Sequence, residues 1–255
     1  ASAPLTSSTR KCWSGWSLRM ADRDVQTFPP ASAATAEQLA FLRATDSPTI
    51  ANAIETVSAR DRCDGYIGGE VRDFAPDLGV MVGQALTVRM TNAPGPIARR
   101  DGYWRMWELL ERMPRPSVLA IQDVSGEPGR CAYFGEVMTT LAMRFGAVGL
   151  VTDGGVRDLA EAQALGFHYF ARYAVVSHGN FSIVDTGEPI ILAGQVVRTA
   201  DLLHCDRNGV VIIPPEAMSG LAEAVATIQG REKEFMSSIR SDGFSLAAAK
   251  ARSGY

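Results

Sequence analysis

Two acidic residues and an arginine flank a glycine-rich segment in the middle of the chain. Glu136 follows Gly135, and the pair Arg157-Asp158 comes shortly after the apolar run 148–152. Carboxylate oxygens suit a hard divalent cation that keeps several of its waters. A guanidinium suits a substrate carboxylate or a developing enolate oxygen. These residue types therefore point to chemistry on an acidic substrate.

The surrounding pattern predicts the elements that position these side chains. Apolar residues at helical spacing follow Glu136, and residues 148–152 read as a buried strand. Asp153-Gly154-Gly155 is predicted to end that strand, and a helix is predicted over 156–165. Arg157 and Asp158 would then lie in the first turn of a helix, just beyond the carboxyl end of a strand. Ligands of open α/β sheets bind at such positions.

A plainer interpretation of the same residues stays open. Asp158 and Glu161 also favour the dipole of the helix that they begin, and Arg157 can pair with them on the surface. The neighbouring glycines and the second acid, Glu136, favour a site over this interpretation.

The spacing of Glu136, twenty residues, Arg157-Asp158, two residues and Glu161 resembles the signature of the RraA-like family. That family includes regulators of ribonuclease E activity and metal-dependent 4-hydroxy-4-methyl-2-oxoglutarate / 4-carboxy-4-hydroxy-2-oxoadipate aldolases. The resemblance extends from about residue 36 to 240. It includes five further segments: Gly83–Val88, Val118–Asp123, Phe134–Glu136, Asp153–Asp158 and Asn208–Pro214.

The resemblance implies an α/β protein with the layered β/β/α, swivelling-type fold, assembled as a homotrimer or homohexamer. It also implies a site in which Asp158 and Glu136 hold Mg²⁺ or Mn²⁺ and Arg157 stabilises an enolate. The segment expected to bind the substrate carboxylate, together with Arg157, comprises Gly135, Glu136, Val137 and Met138. The family aldolases carry Asp at the position of Glu136. Some complete the site with an acid from an adjacent subunit, for which Glu232 and Glu234 are candidates.

The function implied is that of a class II lyase that releases pyruvate from a 2-keto acid. The reaction would be retro-aldol cleavage of substrates such as 4-hydroxy-4-methyl-2-oxoglutarate, decarboxylation of oxaloacetate, or both. The alternative is a non-catalytic RraA-like protein that binds and regulates a ribonuclease. Glu136 favours the enzyme, because the non-enzymatic members lack the first acid. A different keto or hydroxy acid is a third possibility for the same site.

Composition narrows the classes of function. The 255 residues are 46% hydrophobic with a net charge of −3, which gives no reason to expect nucleic-acid or membrane-surface binding. No apolar run approaches the roughly 20 residues of a membrane span. The four cysteines are scattered, which predicts a cytoplasmic protein without a zinc or disulfide framework. The lysines, Lys11, Lys233 and Lys250, lie outside the central α/β region, which disfavours a Schiff-base mechanism.

The chain is expected to form one domain behind a tail. Residues 1–34 lack a sustained period, and Met20 within them is a candidate start of the native chain. Residues 35–255 are predicted to form the catalytic domain. Its first helix is predicted to begin with a capping box of Thr35 and Gln38, and its second with Ser47 as the N-cap. A strand over 80–90, a helix over 97–113, short strands after Gly166 and a long helix over 214–240 are predicted next.

Overall fold

The computed structural model describes residues 33–93 and 100–253. The predicted tail over 1–34 lies almost entirely outside these ranges, as does the predicted beginning of the third helix at 97–99. Within the described ranges, no helix is long and apolar enough to cross a membrane.

Helices and strands alternate along the described part of the chain. The helices are α1 (Ala36–Arg43), α2 (Ser47–Val57), α3 (Arg100–Arg112), α4 (Glu136–Arg144), α5 (Leu159–Ala164), α6 (Leu221–Ile239) and α7 (Leu246–Ser253). The first six strands are β1 (Tyr66–Ile67), β2 (Arg72–Asp73), β3 (Met81–Thr91), β4 (Ser117–Asp123), β5 (Ala132–Phe134) and β6 (Ala147–Val156). The others are β7 (His168–Ala174), β8 (Ser182–Thr186), β9 (Ile190–Leu192), β10 (Gln195–Val197), β11 (Leu202–Asp206) and β12 (Gly209–Ile213).

One mixed sheet organises the described residues. Its strand order is β1-β12-β11-β3-β4-β6-β7-β2, with β5 paired to β6 and β8 paired to β3. The central strands β3, β4, β6 and β7 run parallel, so their carboxyl ends meet at one edge. The outer pairs are antiparallel. A mixed sheet of this kind with helical crossovers confirms the predicted α/β class.

The two faces of the sheet carry different layers. On one face, the hairpin β9–β10 packs Ile190, Leu192 and Val197 into a core shared with residues such as Val118 and Phe170. On the other face, α1, α2 and α6 cover the ends of β3 and β12. Alternate side chains of a strand point to opposite faces, so β3 contributes Met81 and Ala85 to the first core and Val82 to the second. The result is a β/β/α layering.

In each of the first two helices, the side chain of the N-cap residue accepts a backbone N–H of the first turn. Thr35 forms the predicted capping box with Gln38. Helix α2 was predicted to have Ser47 as its N-cap, which is wrong. Asp46 has the extended cap conformation and accepts the Thr49 N–H, while the Ser47 hydroxyl donates to Asp206 at 2.7 Å. Asp46 therefore caps the helix, and Ser47 joins its first turn to Asp206.

Several later boundaries also differ from the predictions. The strand predicted over 174–177 is wrong, because β7 ends at Ala174 and residues 175–177 are irregular. β8 and β11 have no counterpart among the predicted strands. The helix predicted over 214–240 is divided. A 3₁₀ turn at Pro215–Ala217 precedes α6, which begins after Gly220.

The cap of α2 gives a stability prediction. Replacing Asp46 with Ala removes the acceptor of the Thr49 N–H and is expected to lower the free energy of unfolding by about 1 kcal/mol. Asp46→Asn keeps an acceptor oxygen and should cost much less. Urea denaturation of both variants measures the difference, and equal losses would contradict the assigned cap.

Candidate active site

Strand β6 extends beyond its neighbour β4 at the carboxyl edge of the sheet. The β4–β6 ladder ends at Ile121 and Thr152, and from Gly155 onward β6 pairs with β5 instead. The register against β7 shifts between Thr152 and Gly155, which is the signature of a one-residue bulge. Beyond the bulge, the last residue of β6, Val156, extends past its ladder with β4 and lies opposite Phe134 of β5 and Ala174 of β7.

The prediction that Asp153-Gly154-Gly155 ends the strand is therefore wrong. The glycines allow other groups to approach the strand closely instead of breaking it. A Cβ on Gly154 would lie 2.7 Å from the Tyr133 ring, and a Cβ on Gly155 would lie 2.5 Å from the Cys131 carbonyl oxygen. Glycine inside a strand commonly marks such an approach. The predicted helix over 156–165 consequently begins only at Leu159.

Asp158 directs its carboxylate away from the helix that it precedes. Its backbone is left-handed (φ 56°, ψ 47°), a conformation that Asp tolerates better than most residues. The side chain makes no capping bond to α5. Oδ2 instead accepts the Glu136 N–H at 2.9 Å and lies 3.6 Å from Arg157 Nε. The carboxylate thus lies at the N-terminus of α4, where the helix dipole stabilises an anion.

Gly135 makes this contact sterically possible. A Cβ at that position would lie 2.4 Å from Asp158 Oδ2 and 2.9 Å from Arg157 Nε. Its φ of −147° is open to any residue, so the requirement for glycine is spatial. The Arg157 N–H also donates to the Phe134 carbonyl at 2.9 Å, which joins the end of β6 to the residue before Gly135.

The structure brings the central set of predicted residues together. Gly135, Glu136, Arg157 and Asp158 meet within direct contact distances at one end of the sheet. The side chains of Arg157 and Asp158 are 37% and 36% exposed, so this is an open, partly desolvated pair. Val137 is exposed beside them in the first turn of α4.

The other predicted acids lie apart from this contact. Glu161 is exposed in the first turn of α5. Glu232 and Glu234 are exposed on the second half of α6. Met138, the last of the predicted carboxylate-binding residues, is half-buried in the first turn of α4.

A second pair of acids was not singled out by the sequence analysis. Asp123 ends β4 and Asp153 lies in the bulge of β6. The Asp123 N–H donates to Asp153 Oδ1 at 2.7 Å, and the Tyr133 hydroxyl donates to Asp123 Oδ2 at 2.6 Å. Burial, with a smaller contribution from the Asp123 charge, raises the pKa of Asp153 to about 6. Their only signal in the sequence is that each acid follows a predominantly apolar run, residues 118–122 for Asp123 and 148–152 for Asp153.

Helix α4 is joined to the sheet by a buried pair of hydroxyls. Thr139 Oγ1 and the Tyr169 hydroxyl on β7 lie 2.5 Å apart, and both residues are at most 1% exposed. Phe167 packs edge-on against the Tyr169 ring. The sequence gives no local signal for this pair, because thirty residues separate its members.

Two of the histidines, His168 and His204, are buried. His204 is buried, and its Nε2 lies 3.0 and 2.9 Å from the carbonyls of Leu42 and Thr45. Burial lowers the pKa of His168 to about 4, which keeps this side chain neutral at pH 7. In the described part of the chain, no group of three or more His, Cys, Asp or Glu side chains is arranged to hold a metal ion.

Comparison with known proteins identifies the family. A family model described as RraA-like, Aldolase/RraA, matches residues 47–212. The chain belongs to the RraA-like family. This confirms the predicted resemblance, and the matched range contains β3 to β11 together with Glu136, Arg157 and Asp158.

Relatives within and around the RraA-like family carry different names. Protein DlpA of Legionella pneumophila is 23% identical over 203 residues, 78% of this chain and 32% of that protein. A protein of Halalkalibacterium halodurans named "Putative 4-hydroxy-4-methyl-2-oxoglutarate aldolase" is 31% identical over 100 residues, 39% of this chain and 47% of the relative. The chain thus matches about a third to a half of the length of these two relatives.

A solved structure shows the same fold. RraAS2 of Streptomyces coelicolor, described as an unusual member of the RNase ES inhibitor RraA protein family, superposes with a TM-score of 0.60 at 20% identity. The superposition covers 82% of this chain and 99% of that one. The RraA-like fold therefore occurs both in relatives named as aldolases and in a relative named after ribonuclease inhibition.

Steric exclusion at Gly135 gives the second prediction. Gly135→Ala forces Asp158 away from α4 and is expected to lower the free energy of unfolding by about 1–3 kcal/mol. Gly230→Ala is the matched control: nothing lies within 4 Å of a Cβ there, and Ala is the better helix former. Urea denaturation should show opposite signs for the two variants. A neutral Gly135→Ala would contradict the close approach.

The raised pKa of Asp153 gives a prediction with a definite sign. The folded protein binds this proton more tightly than the unfolded chain does, so stability falls as pH rises from 3.8 to about 6. Above that window the charge costs on the order of 2 kcal/mol. Asp153→Asn keeps an acceptor for the Asp123 N–H, so it should be more stable than the native protein at pH 8.

The Asp153→Asn gain should shrink toward pH 4, where the native carboxyl is protonated. Urea denaturation from pH 4 to 8 measures it, with the exposed Asp242→Asn as the control that should show no such trend. A difference that does not change with pH would refute the assignment.

Proposed function

We propose that this protein is a metal-dependent lyase that cleaves a carbon–carbon bond of a 2-keto acid and releases pyruvate. The substrate class is 4-hydroxy-4-methyl-2-oxoglutarate or a related acid, oxaloacetate, or both. The names of the aldolase relatives support the lyase class. The geometry around Asp158 supports the chemistry.

The observation that carries the proposal is the contact of Asp158 with Arg157 and with the first turn of α4. A carboxylate, a guanidinium and a helix N-terminus lie together at the carboxyl edge of a parallel sheet. An arrangement that only stabilised α5 would direct Asp158 to its own helix, whereas here it lies across the gap on α4. Arg157 and the N-terminus of α4 can therefore stabilise an anionic substrate and the further negative charge that develops on it.

The donor set fits a hydrated Mg²⁺ or Mn²⁺ ion. One oxygen of Asp158 accepts the Glu136 N–H, and among the described residues its other oxygen and the Glu136 carboxylate have no hydrogen-bond partner. Two carboxylates without a third protein ligand suit a cation that keeps several waters. Asp158 would hold this ion and Glu136 would orient one of its waters. When bound, the ion supplies Lewis acidity toward the 2-keto acid.

The side chains of this site divide the remaining steps of the retro-aldol cleavage. Glu136, through a water, takes the proton of the C4 hydroxyl, the C3–C4 bond breaks, and its electrons move onto the pyruvate C2 oxygen. Arg157 stabilises the negative charge that develops on that oxygen. Glu136 then returns this proton through the water to C3, which completes the second molecule of pyruvate. In decarboxylation of oxaloacetate, the same C2 oxygen receives the electrons of the bond to the departing CO₂.

The substrate carboxylate would bind the first turn of α4. The structure commits the Glu136 N–H to Asp158, so we assign this role to the N–H groups of Val137 and Met138. Among the described residues the lysines are Lys233 and Lys250, which lie on the C-terminal helices α6 and α7, and this disfavours a lysine Schiff base in this scheme.

We also propose that the protein assembles as a homotrimer or homohexamer. The second half of α6 exposes Phe235, Met236 and Ile239, between 44% and 49% each. These residues continue the apolar stripe by which Leu221 and Val225 pack onto the sheet. In such an assembly Glu232 or Glu234 of α6 is available to complete a neighbouring site.

The test is pyruvate release from oxaloacetate and from 4-hydroxy-4-methyl-2-oxoglutarate after removal and replacement of metal. Activity should require Mg²⁺ or Mn²⁺, and Arg157→Ala and Asp158→Asn should each lower kcat about 100-fold or more. Asp158→Asn keeps a residue that tolerates the left-handed backbone. Arg144→Ala, an exposed arginine at the other end of α4, is the control that should retain full activity.

Two outcomes would overturn the proposal. Turnover that persists in EDTA would remove the metal from the mechanism. Absence of turnover on every 2-keto acid tested, together with tight binding of a ribonuclease, would assign the protein to the regulator class.

A further inference from the structure

We propose that Tyr169 is a positioning residue, which acts through Thr139 to fix the first turn of α4 against Asp158. The inference rests on the proposed function, because it concerns the same site. The proposed role belongs to the Tyr169 hydroxyl, as distinct from the packing of its ring.

Two buried hydroxyls join the helix and the strand. Tyr169 is 1% exposed and Thr139 is fully buried, with their oxygens 2.5 Å apart. Thr139 lies in the turn of α4 that follows Glu136, and its N–H donates to the Gly135 carbonyl at 2.9 Å. A displacement of Thr139 is therefore transmitted directly to the residue that borders Asp158. In a low-dielectric interior such a bond is costly to lose from one side only.

The contact between Asp158 and the beginning of α4 leaves little room for displacement of the helix. The gap between Gly135 and Asp158 does not accommodate a single carbon, and the Glu136 N–H meets Oδ2 at 2.9 Å. A shift of about 1 Å in α4 would break this hydrogen bond and move Glu136 relative to Arg157, and shifts of that size can cost about 100-fold in rate. The Asp158 contact holds α4 at its first residue, Glu136, and the Tyr169 bond holds it one turn later, at Thr139.

The charges of the site reach the Tyr169 hydroxyl. Burial is the main reason that the pKa of Tyr169 is raised to about 12, with the Asp158 carboxylate also raising it and the bond to Thr139 opposing the rise. The hydroxyl is buried and bonded to Thr139, so a substrate cannot reach it. Its contribution is accordingly positional, through the helix that it holds.

The test is a double-mutant cycle with conservative variants. Tyr169→Phe and Thr139→Val each remove one hydroxyl and keep the volume. Each is expected to lower kcat about five- to tenfold with a small change in KM. The double variant should be no worse than either single variant, because both changes break the same bond. Additive losses would refute the coupling.

Thr87→Val is the matched control. Thr87 shares a hydroxyl–hydroxyl bond of 2.6 Å with Thr199 and is fully buried, so the variant loses the same kind of interaction. It lies on the face of the sheet opposite to α4. Its loss of stability should resemble that of Thr139→Val, while its kcat should equal that of the native protein.

Amide hydrogen exchange separates this inference from the proposed function. In Tyr169→Phe, the hydrogen-bonded amides of Glu136 and Thr139 should exchange about tenfold faster, and in Thr87→Val they should not. This readout needs neither metal nor turnover. If the native protein lacks lyase activity but the exchange result holds, the proposed function fails and the positioning stands. Unchanged exchange at these amides would overturn the positioning whatever the activity.

Discussion

The hydrogen bond from the Glu136 N–H to Asp158 Oδ2 is the interaction on which the arrangement of the site depends. It joins the residues that follow β6 to the beginning of α4, and the two bonded residues are 22 positions apart in the sequence. Three local conditions make it possible: a left-handed backbone at Asp158, no side chain at Gly135, and a helix N-terminus facing the carboxylate. The left-handed conformation costs about 1 kcal/mol, which a charge-assisted bond of this kind can offset.

The reach of strand β6 is what brings that carboxylate to α4. The ladder between β6 and β4 ends at Thr152, and beyond the bulge Gly155 and Val156 pair with β5 instead. The Asp123 N–H lies beyond the end of that ladder and donates to Asp153. This bond leaves a partly buried carboxylate close to a second one. The sheet edge thus carries an electrostatic cost that is associated with the extension of the strand.

Much of the fold and the centre of the site could be predicted from the sequence. Helical and strand periods gave most of the central elements, and the spacing from Glu136 to Asp158 led to residues that do meet. The errors have a common physical cause. Asp153-Gly154-Gly155 has the composition of a turn, but its glycines accommodate Tyr133 and the Cys131 carbonyl, which are distant in sequence. Local pattern cannot distinguish a glycine that turns the chain from one that makes room.

Local sequence pattern also gave no indication of two polar pairs, Asp123 with Asp153 and Thr139 with Tyr169. Asp123 and Asp153 form their contact through strand pairing, and Thr139 and Tyr169 through the packing of a helix on a sheet. None of these residues belongs to a spacing that a single sequence reveals.

Glu136 is held by its backbone while its side chain remains exposed. The length of that side chain can therefore change without disturbing the bond that locates α4, whereas no such freedom exists one residue earlier. Under the proposed function, an exchange of Glu for Asp here would alter the distance over which the proton is relayed and would leave the hydrogen bond that locates α4 intact. Under that proposal, single replacements at this position would change the substrate while the edge of the sheet is preserved.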